Sequence, residues 1–160
     1  TRYAPFLEVT EDFWNNVVST DWKGAFFCAQ RAAKNMVETN TKGVIINISS
    51  NQQDGCWPIA SVYGPTKAAL NKFTKHAAME LAKYGIRMLA IAPGYTTSSD
   101  HNTVQNRISA RIPLQRFASY EEIADAVVFL ASEKAGFITG TCLSIDGGAL
   151  LPAVSENSFV

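Results

Sequence analysis

The chain has 160 residues, of which 47% are hydrophobic and 18% are charged, which excludes an intrinsically disordered chain and suits a single domain with a buried core. The 14 basic and 14 acidic residues cancel, and neither sign forms a block, so the sequence does not support a nucleic-acid partner or an anionic membrane surface. The sequence also contains no apolar run long enough to span a membrane.

A long helix is the first predicted element. Thr10 is suited to cap its start, and apolar residues then recur at helical spacing until about Asn40. Val44 to Ile48 follow as an uninterrupted apolar run, which is typical of a parallel strand covered on both faces. A second helix is predicted from about Val62 to Tyr84, with Gly85 as its C-terminal stop.

The second half of the chain continues the alternation of strands and helices. We predict a strand over Arg87–Ala92, a helix over Glu121–Ser132 and a strand over Thr141–Ile145, with a polar loop over Tyr95–Arg111. Strands that alternate with helices predict an α/β fold, with a three-layer parallel sheet and helices on both of its faces. We expect a single partial domain over residues 1–152 and a loose C-terminal tail over residues 153–160.

A serine, a tyrosine and a lysine carry the chemistry that the sequence suggests. Ser50 follows the Val44–Ile48 strand, Tyr63 comes thirteen residues later, and Lys67 four residues after that. If Tyr63 opens a helix, this spacing places its phenol and the lysine ammonium on one face, one turn apart. An ammonium ~4 Å from a phenol contributes about 4 kcal/mol at an effective dielectric near ~20, enough to lower the phenol pKa from ~10 to about 7. Tyr63 would then exchange protons at neutral pH, with Ser50 holding the oxygen that gains or loses the proton.

Ser50, the gap of thirteen residues and Tyr63-x-x-x-Lys67 resemble the active-site signature of the classical short-chain dehydrogenase/reductase family. Pro93-Gly94, thirty residues after Tyr63, and the turn at Asp146-Gly147-Gly148 match the same family, so the resemblance covers nearly the whole chain. It implies a Rossmann-like fold and an oxidoreductase that transfers a hydride between NAD or NADP and a small alcohol or carbonyl substrate.

The resemblance also implies roles for individual residues. Tyr63 would be the acid/base, Lys67 would lower its pKa and hold the cofactor ribose, and Ser50 would bind the substrate oxygen. The residues expected to contact the cofactor are Tyr63, Lys67, Pro93, Gly94, Thr96 and Ser98. Enzymes of this family pair their long helices with those of other copies, so a homodimer or homotetramer is expected.

The sequence departs from the pattern of the family in two ways. It has no strand, Gly-rich turn and helix to hold a cofactor pyrophosphate. The first strands of the family would precede Thr1, so we expect the C-terminal portion of such an enzyme, with Val44–Ile48 as an unpaired edge.

The second departure is Asp21, which stands where the family usually has an asparagine in a proton relay and is therefore included among the candidate catalytic residues. A carboxylate ~8 Å from the phenol would oppose the phenolate by about 2 kcal/mol at an effective dielectric near ~20. We therefore expect Asp21 to raise the working pKa of Tyr63. The alternative is that Asp21 merely faces solvent or ends a helical segment.

Other kinds of site find less support. His76 and His101 have no carboxylate or cysteine at ligand spacing, so no metal site is predicted. Ser50 lacks a G-x-S-x-G context, which disfavours a hydrolase triad. Three residues of the loop after Ser50 either contact substrate or are simply solvated: Gln52, Gln53 and Trp57.

Three widely separated cysteines, Cys28, Cys56 and Cys142, predict buried or half-buried free thiols in a reducing compartment, and hence a cytoplasmic protein. The alternative to an active enzyme is a truncated, non-catalytic fragment that keeps only the fold and the oligomer interface. Binding of NADH or NADPH separates these two interpretations.

Overall fold

The computed structural model describes residues 3–97 and 107–151. The helices and strands alternate after the first two helices, as the sequence predicts. In chain order they are α1 (Glu11–Val18), α2 (Ala25–Glu38), β1 (Val44–Ile48), α3 (Tyr63–Leu81), β2 (Arg87–Pro93), α4 (Tyr120–Ala131) and β3 (Cys142–Ile145).

The three strands form one parallel sheet in the order β1-β2-β3. Val44 pairs with Arg87 at the start of the first ladder, and Ala90 pairs with Cys142 at the start of the second. The central strand β2 is enclosed completely, since Met88 to Ala92 are all 0% exposed. Among the described residues no strand pairs with the free side of β1, so β1 is an edge strand, as expected.

Helices cover both faces of the sheet. On one face Ala29 of α2 and Ala78 of α3 pack on Met88, and on the other Leu130 of α4 packs on Leu89 and Ile91. This arrangement confirms the predicted three-layer α/β fold. It also explains why β2 is apolar without alternation, since the side chains on both faces of this strand are buried.

The predicted long helix is interrupted. Thr10 caps α1 by accepting a hydrogen bond from the Phe13 amide at 3.2 Å, but Ser19–Gly24 form a π-helical segment between α1 and α2. The prediction of one uniform helix from Thr10 to Asn40 was therefore wrong in the middle. A Cβ on Gly24 would lie 3.2 Å from the Ser19 carbonyl oxygen, so the glycine keeps this segment uncrowded.

The other boundaries agree with the prediction to within one or two residues, except that α3 ends at Leu81, three residues before the predicted end at Tyr84. Helix α3 begins at Tyr63 and ends in a short 3-10 turn, Ala82–Tyr84, followed by Gly85 at φ 70°. Left-handed geometry at this position favours glycine, which explains why the helix stops there.

The cysteine prediction was correct only in part. All three are free thiols and Cys142 is half-buried, but Cys28 and Cys56 are exposed. Within the described residues, no helix is both long and apolar enough to cross a membrane. Residues 152–160 lie outside the described part of the chain, so the predicted domain limits and tail stay predictions.

Candidate active site

Tyr63 begins α3 and Lys67 lies one turn later, and both are largely buried, at 9% and 8% exposure. Val17 of α1 and Val62 pack with Tyr63 in one apolar cluster, which fixes the start of the helix. The Lys67 Nζ atom lies 5.4 Å from the centre of the Tyr63 ring. The spacing of four residues thus brings the ammonium next to the phenol ring, as expected.

Two oxygen atoms hold the Lys67 ammonium. It donates a hydrogen bond to the Ile48 carbonyl at the end of β1, at 3.2 Å. The Asp21 carboxylate, on the π-helical segment, lies 3.4 Å from the same nitrogen. The two charged side chains are only 11% and 20% exposed, so solvent screens their attraction less than at an open surface. Asp21 therefore faces Lys67 rather than only solvent.

Ser50 lies where β1 passes into the short 3-10 helix Asn51–Gln53. Its backbone is extended, and its hydroxyl accepts a hydrogen bond from the Gln52 amide at 3.2 Å. Ser50 and Tyr63 line the same cavity of about 460 Å³, which we call the inner pocket. The end of β1 and the start of α3 therefore bring the predicted serine and tyrosine to one site.

Aromatic side chains from separate segments complete the inner pocket. Trp57, on the loop before α3, donates its indole N–H to the Tyr95 hydroxyl at 2.9 Å. Tyr95 follows β2 and stacks on Phe117, with ring centres 5.1 Å apart. These contacts fix one wall of the pocket across three segments of the chain.

Tyr3 forms another part of the wall. Its ring meets the Tyr63 ring edge-on at 5.8 Å between centres, and its hydroxyl accepts a hydrogen bond from the Gln52 side-chain amide at 3.3 Å. Burial raises the pKa of the Tyr3 phenol above its ordinary value.

Gly94 places the end of β2 tightly against the turn after β3. Its amide donates to the Ile145 carbonyl at 2.9 Å, and a Cβ at this position would lie 2.7 Å from the Asp146 Cβ. Thr96 donates its hydroxyl hydrogen to the Gly94 carbonyl at 3.2 Å. Gly94 and Thr96 line the inner pocket, whereas Pro93 ends β2 just before it. Ser98 lies outside the described residues.

A second cavity reaches Lys67 from the open edge of the sheet. It has a volume of about 340 Å³, and its lining includes Thr20, Asp21, Ile46, Ile48 and Lys67. Tyr63 thus faces the inner pocket while Lys67, one turn on, faces this edge cavity. A ligand that extends from one to the other would contact both residues.

The sequence analysis missed five residues that line the inner pocket: Tyr3, Asn51, Pro58, Ile59 and Tyr95. Tyr95 directly follows Pro93-Gly94, so its position in the chain offered a signal. Tyr3 belongs to the lead-in before α1 and carried no such signal. Gln52 and Trp57, which the sequence left undecided, both line the inner pocket.

Comparisons with known proteins identify relatives of this chain. A family model described as enoyl-(acyl carrier protein) reductase matches residues 1–149. The uncharacterized oxidoreductase YohF of Escherichia coli (strain K12) is 41% identical over 152 residues, which cover 92% of this chain and 60% of YohF. The chain spans about 60% of the length of the curated relatives it matches.

Two solved structures with cofactor resemble this chain closely. A 4-hydroxyisoleucine dehydrogenase complexed with NADH superposes with a TM-score of 0.90 at 28% identity, over 96% of this chain and 66% of that one. ElxO with NADP bound gives a TM-score of 0.84 at 34% identity, over 94% of this chain and 63% of that one. Such structures are thus found with either nicotinamide cofactor.

Proposed function

The chain belongs to the short-chain dehydrogenase/reductase family, and we propose that it carries the catalytic groups of an NAD(P)-dependent oxidoreductase acting on a small alcohol or carbonyl compound. The observation that carries the proposal is the shared inner pocket of Ser50 and Tyr63, with the Lys67 ammonium 5.4 Å from the Tyr63 ring centre. These are the groups that proton transfer to a substrate oxygen requires.

Tyr63 is the acid/base in this proposal. During reduction its hydroxyl gives a proton to the carbonyl oxygen, and during oxidation its phenolate takes the proton of the substrate hydroxyl. The Lys67 ammonium favours the phenolate through its positive charge. Tyr3 is a weaker candidate, because burial raises the pKa of its phenol.

Ser50 is proposed to orient the substrate oxygen towards Tyr63. Its hydroxyl accepts from the Gln52 amide, which leaves its own hydrogen available to donate. Asp21 is proposed to position the Lys67 ammonium, which it contacts at 3.4 Å, and to weaken the influence of that charge on Tyr63.

The residues present fit the nicotinamide end of the cofactor. A bound nicotinamide cofactor supplies or accepts the hydride at the substrate carbon. A Cβ at Gly94 would lie 2.7 Å from the Cβ of Asp146, so the glycine allows the backbone that lines the pocket here to pack closely on the turn after β3. Lys67, open to the edge cavity, is suited to hold a ribose hydroxyl. Tyr63, Pro93, Gly94 and Thr96 are proposed to surround the nicotinamide, and Ser98 remains a sequence-based candidate.

We also infer a homodimer or homotetramer in which the long helices pair with those of other copies. Helices α2 and α3 carry the strongly exposed apolar residues Phe27 and Met79, at 53% and 82% exposure, which supports this assignment. The three free thiols support a reducing, cytoplasmic environment.

A second candidate is a non-catalytic fragment that keeps the fold and the oligomer interface. The free side of β1, which no strand in the described part of the chain covers, supports this candidate. The two candidates make opposite predictions for cofactor binding.

Cofactor fluorescence and one tyrosine substitution test the proposal. Saturable binding of NADH or NADPH at micromolar concentration, with turnover lost in Tyr63→Phe but binding retained, is the expected result. Tyr120→Phe is the matched control, because Tyr120 is exposed and begins α4. Failure of both cofactors to bind at millimolar concentration contradicts the enzyme in favour of the fragment. Turnover that survives in Tyr63→Phe rejects Tyr63 as the acid/base.

A further inference from the structure

A third cavity adjoins the inner pocket on the side of the loop before α3. We call it the outer groove; it has a volume of about 560 Å³ and an apolar lining of Phe6, Trp57, Ile59, Ala60, Pro65 and Ala68, and its polar lining residues include Gln52, Gln53, Asp54 and Ser61. The volumes of the outer groove and of the inner pocket both lie within the range of roughly 300–1,000 Å³ that small-molecule sites occupy. The groove therefore has the size of a binding site of its own.

The outer groove lies directly beside the inner pocket. Gln52, Trp57 and Ile59 line both cavities. The indole N–H of Trp57 is used by Tyr95, so the part of its ring that remains for the groove is carbon. A molecule that reacts at Tyr63 could thus extend past Trp57 and Ile59 into the groove.

Ile59 stands between the two cavities in a strained conformation. Its φ is 60°, which is rare for any residue with a side chain and is an outlier for a β-branched one. Its carbonyl accepts a hydrogen bond from the Ala4 amide at 3.0 Å, which holds the backbone in place, yet its side chain is 51% exposed. Strained residues of this kind concentrate at ligand sites.

The groove displays apolar surface that the fold itself does not cover. Phe6 is 75% exposed although it lines the groove. The charged member of the described lining is Asp54, and the described lining contains no lysine or arginine. This composition suits an uncharged hydrocarbon chain and disfavours a phosphate or a carboxylate.

We propose that the outer groove binds an alkyl arm of the substrate. The compound that reacts at Tyr63 is then a carbonyl or alcohol at one end of an uncharged chain of several carbons. This inference rests on the proposed function for the position of the reacting end, and it adds the class of substrate.

Two ketones with the same reactive end test the inference by binding alone. Butan-2-one and heptan-2-one are titrated into isotope-labelled protein, with and without NADH, while the Ile59 methyl signals are followed by NMR. Burial of a methylene contributes about 0.8 kcal/mol, so we expect the affinity to rise about fourfold for each added methylene. Because Ile59 lines both cavities, either ketone can shift its signals, and heptan-2-one should do so at a much lower concentration than butan-2-one.

Two neighbouring residues provide the matched variants. Phe6 lines the groove, whereas Leu7, in the same 3-10 turn, is 94% exposed and is not part of the lining. We expect Phe6→Ala to remove most of the preference for heptan-2-one and Leu7→Ala to retain it. Both side chains are exposed, so neither change should prevent folding.

The outcomes separate this inference from the proposed function. Equal affinity for the two ketones, no binding of either, or a preference that Phe6→Ala leaves intact overturns the alkyl-arm assignment. Loss of cofactor binding with an intact chain-length preference instead rejects the oxidoreductase and keeps the groove as an alkyl site.

Discussion

The Lys67 ammonium has three close neighbours: the Ile48 carbonyl at 3.2 Å, the Asp21 carboxylate at 3.4 Å and the Tyr63 ring, 5.4 Å away at its centre. The carbonyl and the carboxylate hold the ammonium in place, and the carboxylate also offsets its field. An asparagine in place of Asp21 would keep a polar contact without that negative charge. The chemistry proposed for Tyr63 therefore depends on a balance between two charges of opposite sign.

We expect Asp21→Asn to lower the pH at which the Tyr63 phenol ionises, because the variant leaves the charge of Lys67 uncompensated. The measurement is the ultraviolet absorbance of the phenolate during a pH titration, with the curve of the corresponding Tyr63→Phe protein subtracted. Asp12→Asn is the control, since it removes an acidic residue from the first turn of α1. Superimposable curves for the wild type and Asp21→Asn would exclude an electrostatic role for Asp21.

Gly94 tests how tightly the end of β2 is packed. In Gly94→Ala the new Cβ would lie 2.7 Å from the Cβ and 2.9 Å from the Cα of Asp146. The backbone must move to accept it, so we expect a loss of about 1–3 kcal/mol in the free energy of unfolding. Urea denaturation measures this loss.

The matched variant for this experiment is Gly43→Ala. Its Cβ would lie 2.8 Å from the Met36 sulfur, which belongs to a flexible side chain that can turn away. We therefore expect Gly43→Ala to cost clearly less than Gly94→Ala. Equal costs for the two variants would show that the backbone contact at Asp146 is not rigid.

For individual residues, the sequence predicted the parts of the site that depend on the spacing of residues along the chain. Tyr63 and Lys67 came together because four residues make about one turn of helix, and Ser50 because a parallel strand ends at the site. Tyr3 could not be predicted, because it reaches the pocket through tertiary contacts of the lead-in, such as the hydrogen bond from Ala4 to Ile59. Asp21 was placed by resemblance, and only the structure revealed its ion pair with Lys67.

Among the elements, the π-helical segment Ser19–Gly24 has the most direct bearing on the site, because it carries Asp21 to Lys67. Its wider turn was not visible in the sequence, since apolar residues continue at nearly helical spacing through both neighbouring helices. A periodicity of apolar residues reports which face is buried but not whether one turn holds an additional residue. The segment is therefore a structural feature that pattern analysis reads as ordinary helix.

Helix α4 shows how a local motif fixes an element that lies on the other face of the sheet. Ser119 and Glu122 form a capping box at its start. Arg116 binds the Glu122 carboxylate through both terminal nitrogens, at 2.7 and 2.6 Å. The hydrogen bonds from Arg116 lower the pKa of Glu122 from 4.5 to about 2.

This shift predicts an acid-dependent loss of stability. The folded carboxyl has the lower pKa, so its contribution is complete above the ordinary pKa near 4.5 and disappears as the pH falls towards about 2. Urea denaturation should therefore show wild type more stable than Glu122→Gln at neutral pH and the two converging in acid. Glu121→Gln, in the same turn, is the control. A constant difference between wild type and Glu122→Gln throughout this range contradicts the assignment.

For the whole molecule, the edge of β1 links the fold to the site. Strand β2 is fully enclosed, but Ile48 of β1 is 52% exposed, and Ile46 and Ile48 line the cavity that reaches Lys67. Whatever covers this edge therefore also closes one side of the Lys67 site. The fold and the proposed cofactor site thus depend on the same surface.

The layered fold was predictable because each strand and helix carries its own pattern and the connections follow simple rules of handedness. The continuous apolar character of β2 already indicated burial on both faces. The partners of the exposed apolar surfaces were not predictable in this way. Complementarity between surfaces depends on shapes that a pattern of apolar residues does not encode.

The exposed apolar residues of the long helices lead to the last prediction. We expect the protein to form a dimer or tetramer, with a mass in solution that is a multiple of the 17.4 kDa chain. Phe27→Glu on α2 combined with Met79→Glu on α3 should reduce this mass to that of one chain, because burial of two unpaired carboxylates would cost more than the contact contributes. Light scattering after size-exclusion chromatography measures the mass.

The control for this experiment is Leu7→Glu, which adds a charge at a side chain that is 94% exposed and lies outside the long helices. It should leave the oligomer intact. Both charged proteins should keep the helical content of the wild type, because the substituted side chains are already largely exposed in the single chain. If the double variant has the same mass as the wild type, α2 and α3 do not form the interface at these positions. The next surface to consider would then be the exposed apolar residues elsewhere, such as Phe137 in the segment between α4 and β3.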